Sequence, residues 1–241
     1  MKSACYIIAF LFCIQMSAYS QDSTGIILPN NPISDIYTPS TLSVKSMVVP
    51  TVLIGYGFVA LNNHAMQHLN ASTKNELQED NPFFRAKIDN YLQYSPALAV
   101  YGLSALGIQP AHNLKDRTVI VTAGFLLSSA TVTGLKTFIN VERPDGSGRN
   151  SFPSGHTATA FAMAEFLHQE YKHRSAWYGI AGYLVAASTG AIRLYNNKHW
   201  FNDIVAGAGI GILSTKMAYF LYPKIVKHFP SKKKVIDPVS L

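Results

Sequence analysis

Residues 118–139, TVIVTAGFLLSSATVTGLKTFI, form the longest apolar block of the chain. Apolar residues run on without the strict alternation of a half-buried strand, and about 20 residues is the length a helix needs to cross a bilayer. Five shorter blocks surround it, at 47–61, 94–108, 157–167, 177–192 and 204–222. A polar stretch with amphipathic helical patterns, residues 62–89, separates the first two and contains Asn81-Pro82. These lengths, with no clear strand pattern, predict an all-α helical bundle of about six core helices.

Only the 118–139 block reaches spanning length without compromise. The 204–222 block carries Lys216, and the 157–167 block carries Glu165 and is followed by His168. Ionisable groups are costly in hydrocarbon, so these blocks read either as spans or as helices buried in the bundle. Gly207, Gly209 and Gly211 permit close helix packing in either setting.

At 241 residues the chain fits one sizeable domain, read as a helical domain over 47–225. Hydrophobic residues make up 48% and charged residues 14%, with a mean hydropathy of +0.12. That composition lies on the border between periplasmic and membrane proteins. Lys2, an apolar run from Ala4 to Ile14, and Ala18-Tyr19-Ser20 read as an export signal over 1–20; a retained anchor is the other reading. Cys5 and Cys13 both lie inside it, so cleavage leaves a chain without thiols. Residues 21–46 read as an extended arm, and 226–241 as a basic tail containing Lys227 and Lys232 to Lys234. The tail is either solvated or drawn to anionic headgroups. No nucleic-acid motif is present in the net charge of +7, and no obligate protein partner is expected. After signal cleavage, three full crossings ahead of Lys136 would put the later loops in the cytoplasm. A periplasmic site therefore needs re-entrant or merely buried blocks, a retained signal, or a bundle lying against the membrane.

Three clusters at the ends of these blocks carry chemistry. In KTFINVERP, Lys136 and Arg143 lie seven residues apart and point the same way if the helix persists to Pro144. An ordinary basic helix end would look the same. In FPSGHT, Ser154 is suited to cap a helix, Gly155 lets backbone approach an anion, and His156 stands beside them as a candidate general acid. In RLYNNKHWFND, Arg193 can grip phosphate in bidentate fashion, while His199 and Asp203 share a face if the segment is helical. His199 would attack phosphorus, with Asp203 holding its tautomer; a surface ion pair is the plain alternative. Together the clusters supply the cations, the nucleophile and the proton donor that phosphoryl transfer demands. The scheme requires no metal or cofactor.

This pattern, K-x-x-x-x-x-x-R-P, then P-S-G-H, then R-x-x-x-x-x-H-x-x-x-D, resembles that of the type 2 phosphatidic acid phosphatase family. That family shares its fold with bacterial nonspecific acid phosphatases and vanadium haloperoxidases. Ile192 departs from it, standing where the family usually has serine. The resemblance implies that Lys136, Arg143, Ser154, Gly155 and Arg193 bind phosphate. It also implies His199 as nucleophile, Asp203 as its orienter and His156 as acid, at one end of a helical bundle. The expected substrate is a phosphorylated membrane lipid met at a membrane surface in the cell envelope, with the site facing the periplasm. Lipid A leads undecaprenyl pyrophosphate, phosphatidylglycerol phosphate and phosphatidic acid. A soluble periplasmic acid phosphatase, a vanadium haloperoxidase and a non-catalytic envelope scaffold are the competing expectations.

Overall fold

The computed structural model describes residues 43–228. The export signal, the arm up to residue 42 and the tail beyond residue 228 lie outside the described residues.

Eight helices make up the described chain: α1 (Val44–Val59), α2 (His64–Asp80), α3 (Asp89–Leu92), α4 (Ser95–Ala105), α5 (Leu114–Phe138), α6 (Gly155–Tyr171), α7 (Ala176–Tyr195) and α8 (Phe201–His228). Each expected apolar block is a helix, and the polar stretch after the first adds α2 and α3. The first helix begins at Val44, inside the segment read as an arm. Local chemistry sets several starts. Asn63, Asn113, Ser154 and Ser175 cap α2, α5, α6 and α7 by accepting a backbone N–H in the first turn.

The core is built around α6, which is buried along nearly its whole length and packs against α4, α5, α7 and α8. Its alanines, Ala158, Ala160, Ala162 and Ala164, let neighbouring backbones come close. The glycines of α8 complete the fit from the other side. A Cβ on Gly207 would sit 2.6 Å from the Ser154 carbonyl, one on Gly211 would strike the Ala158 carbonyl, and one on Gly209 would sit 2.6 Å from the Pro50 carbonyl of α1. Gly207 and Gly211 are one turn apart and face α6, whereas Gly209 points the other way toward α1. The AGAGIG stretch thus clamps α8 between two helices and seats it against the residue that caps α6.

Two helices are long and apolar enough to cross a membrane, α5 over Leu114–Phe138 and α8 over Phe201–Val226. Lys216, which made α8 look compromised, donates to Glu165 of α6 at 2.8 Å, and Glu165 is fully buried. Tyr183 and Gln169 also donate to Glu165. The charge is thus turned inward and paired rather than exposed. Apolar side chains point outward at Val44, Val48 and Val52 on α1, at Val119, Leu126 and Leu127 on α5, and at Trp177 and Leu184 on α7. Such faces suit a membrane-associated protein. Between α1 and α2 the chain turns by 92°, so the polar α2 lies across the end of the bundle.

Candidate active site

The ends that α2 crosses carry the three clusters. Lys136 closes α5, the Ser154 cap opens α6, Arg193 closes α7, and Asp203 lies in the first turn of α8. The local geometry differs from the helical reading in two places. Helix α5 stops at Phe138, so Arg143 stands in the following loop and not on the helix of Lys136. RLYNNKHWFND is broken between α7 and α8, with Asn197 in the left-handed region at φ 56°. His199 therefore precedes α8, while Asp203 belongs to it.

His199 and Asp203 still meet. Nδ1 of His199 lies 3.4 Å from Oδ2 of Asp203, and both side chains are almost fully enclosed, which removes the surface ion-pair reading. That separation is an ion-pair distance, longer than a good hydrogen bond. The carboxylate is fixed independently: Ser151 Oγ donates to Oδ2 at 2.5 Å and the Trp200 amide donates at 2.9 Å. The ring nitrogen that faces away from Asp203 is Nε2.

The Lys136 ammonium donates to the backbone carbonyls of Asn150 and Ser151, and Arg143 Nε donates to Asn150 Oδ1 at 2.8 Å. Both cations are tied to the loop leading into α6. Ser154 is fully buried; its hydroxyl lies 3.4 Å from the Thr157 amide as cap and 2.9 Å from the Thr157 hydroxyl, and its own amide donates to the Asp203 carbonyl at 3.0 Å. The side chain is thus occupied in holding the turn, and what the turn offers an anion is the backbone of Gly155 and His156, whose amides lack intrahelical acceptors.

Several residues here carry no signal in the sequence. Asp89 of α3 accepts from Arg193 Nη1 at 2.7 Å in a buried pair, although the two are 104 residues apart. Its neighbour Asn90 meets His156 Nε2 at 2.8 Å through Oδ1. The four-residue α3 therefore positions both the guanidinium and the second imidazole. Ser151 joins the first and third clusters, directly before the second begins, since it bonds Lys136, Asp203 and, through its amide, the Val141 carbonyl at 3.0 Å.

Buried polar atoms without a hydrogen-bond partner include Arg193 Nε, His199 Nδ1 and Asp203 Oδ1. Nearly all buried polar atoms in proteins are paired, so three such atoms in one site mark a place arranged for something other than stability. Burial lowers the pKa of His199, opposed by Asp203 and reinforced by Arg193 and Lys136. Burial, with Arg193 next, likewise lowers that of His156, to about 4; Asp89 opposes the shift, while His199 and Arg143 add to it. Both imidazoles are therefore neutral at pH 7. A neutral His199 has a lone pair for attack, and a neutral His156 can accept a proton. Among the described residues, no three His, Cys, Asp or Glu side chains come together as metal ligands.

Two expected outcomes follow from this wiring. Asp89→Ala would leave the Arg193 guanidinium buried and unpaired, a loss of about 3–5 kcal/mol by analogy with other broken buried pairs. Added inorganic phosphate should restore part of the lost thermal midpoint by re-pairing the charge, and a midpoint that ignores phosphate would contradict the assignment of Arg193. The second outcome concerns protons. An anion placed beside His156 favours the imidazolium and raises its pKa above 4, so binding near pH 6 should take up a proton. Titration calorimetry of orthovanadate in buffers of different ionisation heat would show the uptake in the wild type and its reduction in His156→Gln.

The model of the PAP2 superfamily matches residues 117–227. Over 139 residues the chain is 41% identical to a lipid A 1-phosphatase of Porphyromonas gingivalis, covering 57% of this chain and 31% of that protein. Over 104 residues it is 34% identical to a lipid A 4'-phosphatase of Bacteroides thetaiotaomicron, covering 43% of this chain and 44% of that one. The chain thus spans less than half the length of these curated relatives. The crystal structure of Aquifex aeolicus LpxE is similar at 23% identity with a TM-score of 0.44, covering 60% of this chain and 92% of that one.

Proposed function

We propose that this protein is a membrane lipid phosphatase of the PAP2 superfamily, whose model matches residues 117–227, and that it removes a phosphate from lipid A through a phosphohistidine at His199. The observation that carries the reading is the buried His199–Asp203 pair at the same bundle end as Lys136, Arg143, His156 and Arg193.

In the first step Nε2 of His199 attacks phosphorus, and the bond from phosphorus to the sugar oxygen breaks. His156, protonated through the field of the bound phosphate, gives its proton to the departing oxygen. Asp203 faces the Nδ1 hydrogen and stabilises the charge that grows on the imidazole. Lys136, Arg143, Arg193 and the first amides of α6 neutralise the non-bridging oxygens. In the second step neutral His156 takes a proton from water, whose oxygen attacks phosphorus. The phosphorus–nitrogen bond breaks and inorganic phosphate leaves.

The outward apolar faces of α1, α5 and α7 favour a lipid over a soluble ester, and the names of the similar proteins point to lipid A. Phosphate release from lipid A, phosphatidylglycerol phosphate, phosphatidic acid and p-nitrophenyl phosphate tests the reading. Release from the soluble ester but from none of the lipids would overturn it. We place the catalytic end on the periplasmic side. With Cys5 and Cys13 replaced by serine, the exposed Ser147→Cys should react with an impermeant maleimide in cells whose inner membrane is intact. Labelling only after that membrane is lysed would place the site in the cytoplasm.

A further inference from the structure

Beside the catalytic residues lies a cleft of about 530 Å³, roofed by the α1–α2 turn and the first turns of α2 and floored by residues 139–142 and by Trp200 and Asn202. That volume is within the range of small-molecule sites. Its floor is made by segments that carry site residues. Residues 139–142 join Lys136 to Arg143, and Trp200 directly follows His199.

The lining is of mixed chemistry. Five amide side chains, Asn62, Gln67, Asn70, Asn140 and Asn202, share it with Glu142, aliphatic groups and the Trp200 indole. Asn70 and Asn202 hold each other, Nδ2 to Oδ1 at 2.9 Å, with the Asn202 amide donating to Asn70 Oδ1 at 3.2 Å. Gln67 donates to the Leu61 carbonyl at 2.6 Å. Asn62 and Asn140 are exposed and come from opposite walls. The indole is held by the floor, where its N–H donates to the Glu142 carbonyl at 2.8 Å, and by Lys74, which is not part of the cleft and sits 5.4 Å above the ring.

We infer that this cleft seats the sugar ring that bears the reacting phosphate, with Asn62 and Asn140 reading its hydroxyl or amide groups and Trp200 facing its C–H surface. Asn62 and Asn140 can donate and accept at once, as hydroxyls do, whereas a hydrocarbon tail would strip their water and replace it with nothing. Depth points the same way. If the apolar α1 runs through the membrane, the polar α2, turned by 92°, lies along the surface, and a cleft beneath it is at headgroup level. The inference rests on the lipid phosphatase reading and adds which part of the substrate is recognised and by what.

The test uses the full chain and the double variant Asn62→Ala/Asn140→Ala, both positions being exposed and outside the catalytic cluster. kcat/KM is measured on lipid A, phosphatidylglycerol phosphate and p-nitrophenyl phosphate, and glucosamine 1-phosphate and glycerol phosphate are titrated as inhibitors of p-nitrophenyl phosphate hydrolysis. The variant should lose about tenfold on lipid A, the size expected for two neutral hydrogen bonds, with little change on the other two substrates. Glucosamine 1-phosphate should inhibit the wild type better than glycerol phosphate, and the variant should lose that preference. Equal losses on all three substrates, or no loss on lipid A, would overturn the sugar subsite while leaving the phosphatase reading intact. A wild type active on p-nitrophenyl phosphate but on no lipid would instead defeat both.

Discussion

His199→Ala is expected to lower phosphate release from lipid A by at least about a thousandfold, because the proposed covalent step is lost with the imidazole. The imidazole is buried, neutral and held beside Asp203, and its removal takes away the proposed nucleophile. The loss should fall in kcat. Lys136, Arg143, Arg193 and the α6 amides remain, so orthovanadate should still bind and still raise the thermal midpoint of the variant. Unaltered vanadate stabilisation with vanished turnover separates a chemical role from a folding defect. Retained turnover would remove His199 from the reaction.

Asp203→Asn should have the next largest effect, a loss of about a thousandfold or more, the scale seen when an oriented imidazole loses its carboxylate elsewhere. The change is nearly isosteric, yet Oδ2 accepts from Ser151 and from the Trp200 amide and faces His199 Nδ1. An amide nitrogen placed there would turn donor against donor. An amide oxygen could keep the two hydrogen bonds but would supply no charge for the imidazolium. Since the folded-state pKa of His199 is held up by Asp203 against burial, its removal should lower that pKa further. The sign can be checked by following the His199 ring resonance with pH: the wild type should take up its proton at higher pH than Asp203→Asn. Coinciding titrations would show that the carboxylate does not act on the ring.

Much of this was legible in the residues. Apolar blocks marked six of the eight described helices because each buries or presents a continuous apolar surface, and the cap at Ser154 follows from its chemistry. The three motifs placed Lys136, Arg143, His156, Arg193, His199 and Asp203 near helix ends, where loops of different sequence distance converge. What escaped was tertiary in origin. Nothing local announces that Asp89 and Asn90, in a polar linker, will meet Arg193 and His156, or that Ser151 will tie Lys136 to Asp203. The broken backbone between α7 and α8 also hides behind a residue spacing that mimics one helical turn. The spacing was right for contact and wrong about its cause. Lys216 misled for the same reason: its cost depends on Glu165, which comes from another helix.

The most direct test of the central claim is a rapid alkaline quench of wild-type enzyme turning over lipid A, followed by mass spectrometry of its peptides. Phosphohistidine survives base, so the account predicts phosphate on the peptide containing His199, appearing within one turnover and absent from His199→Ala. Phosphate on another residue, or steady turnover by a variant lacking His199, would contradict it.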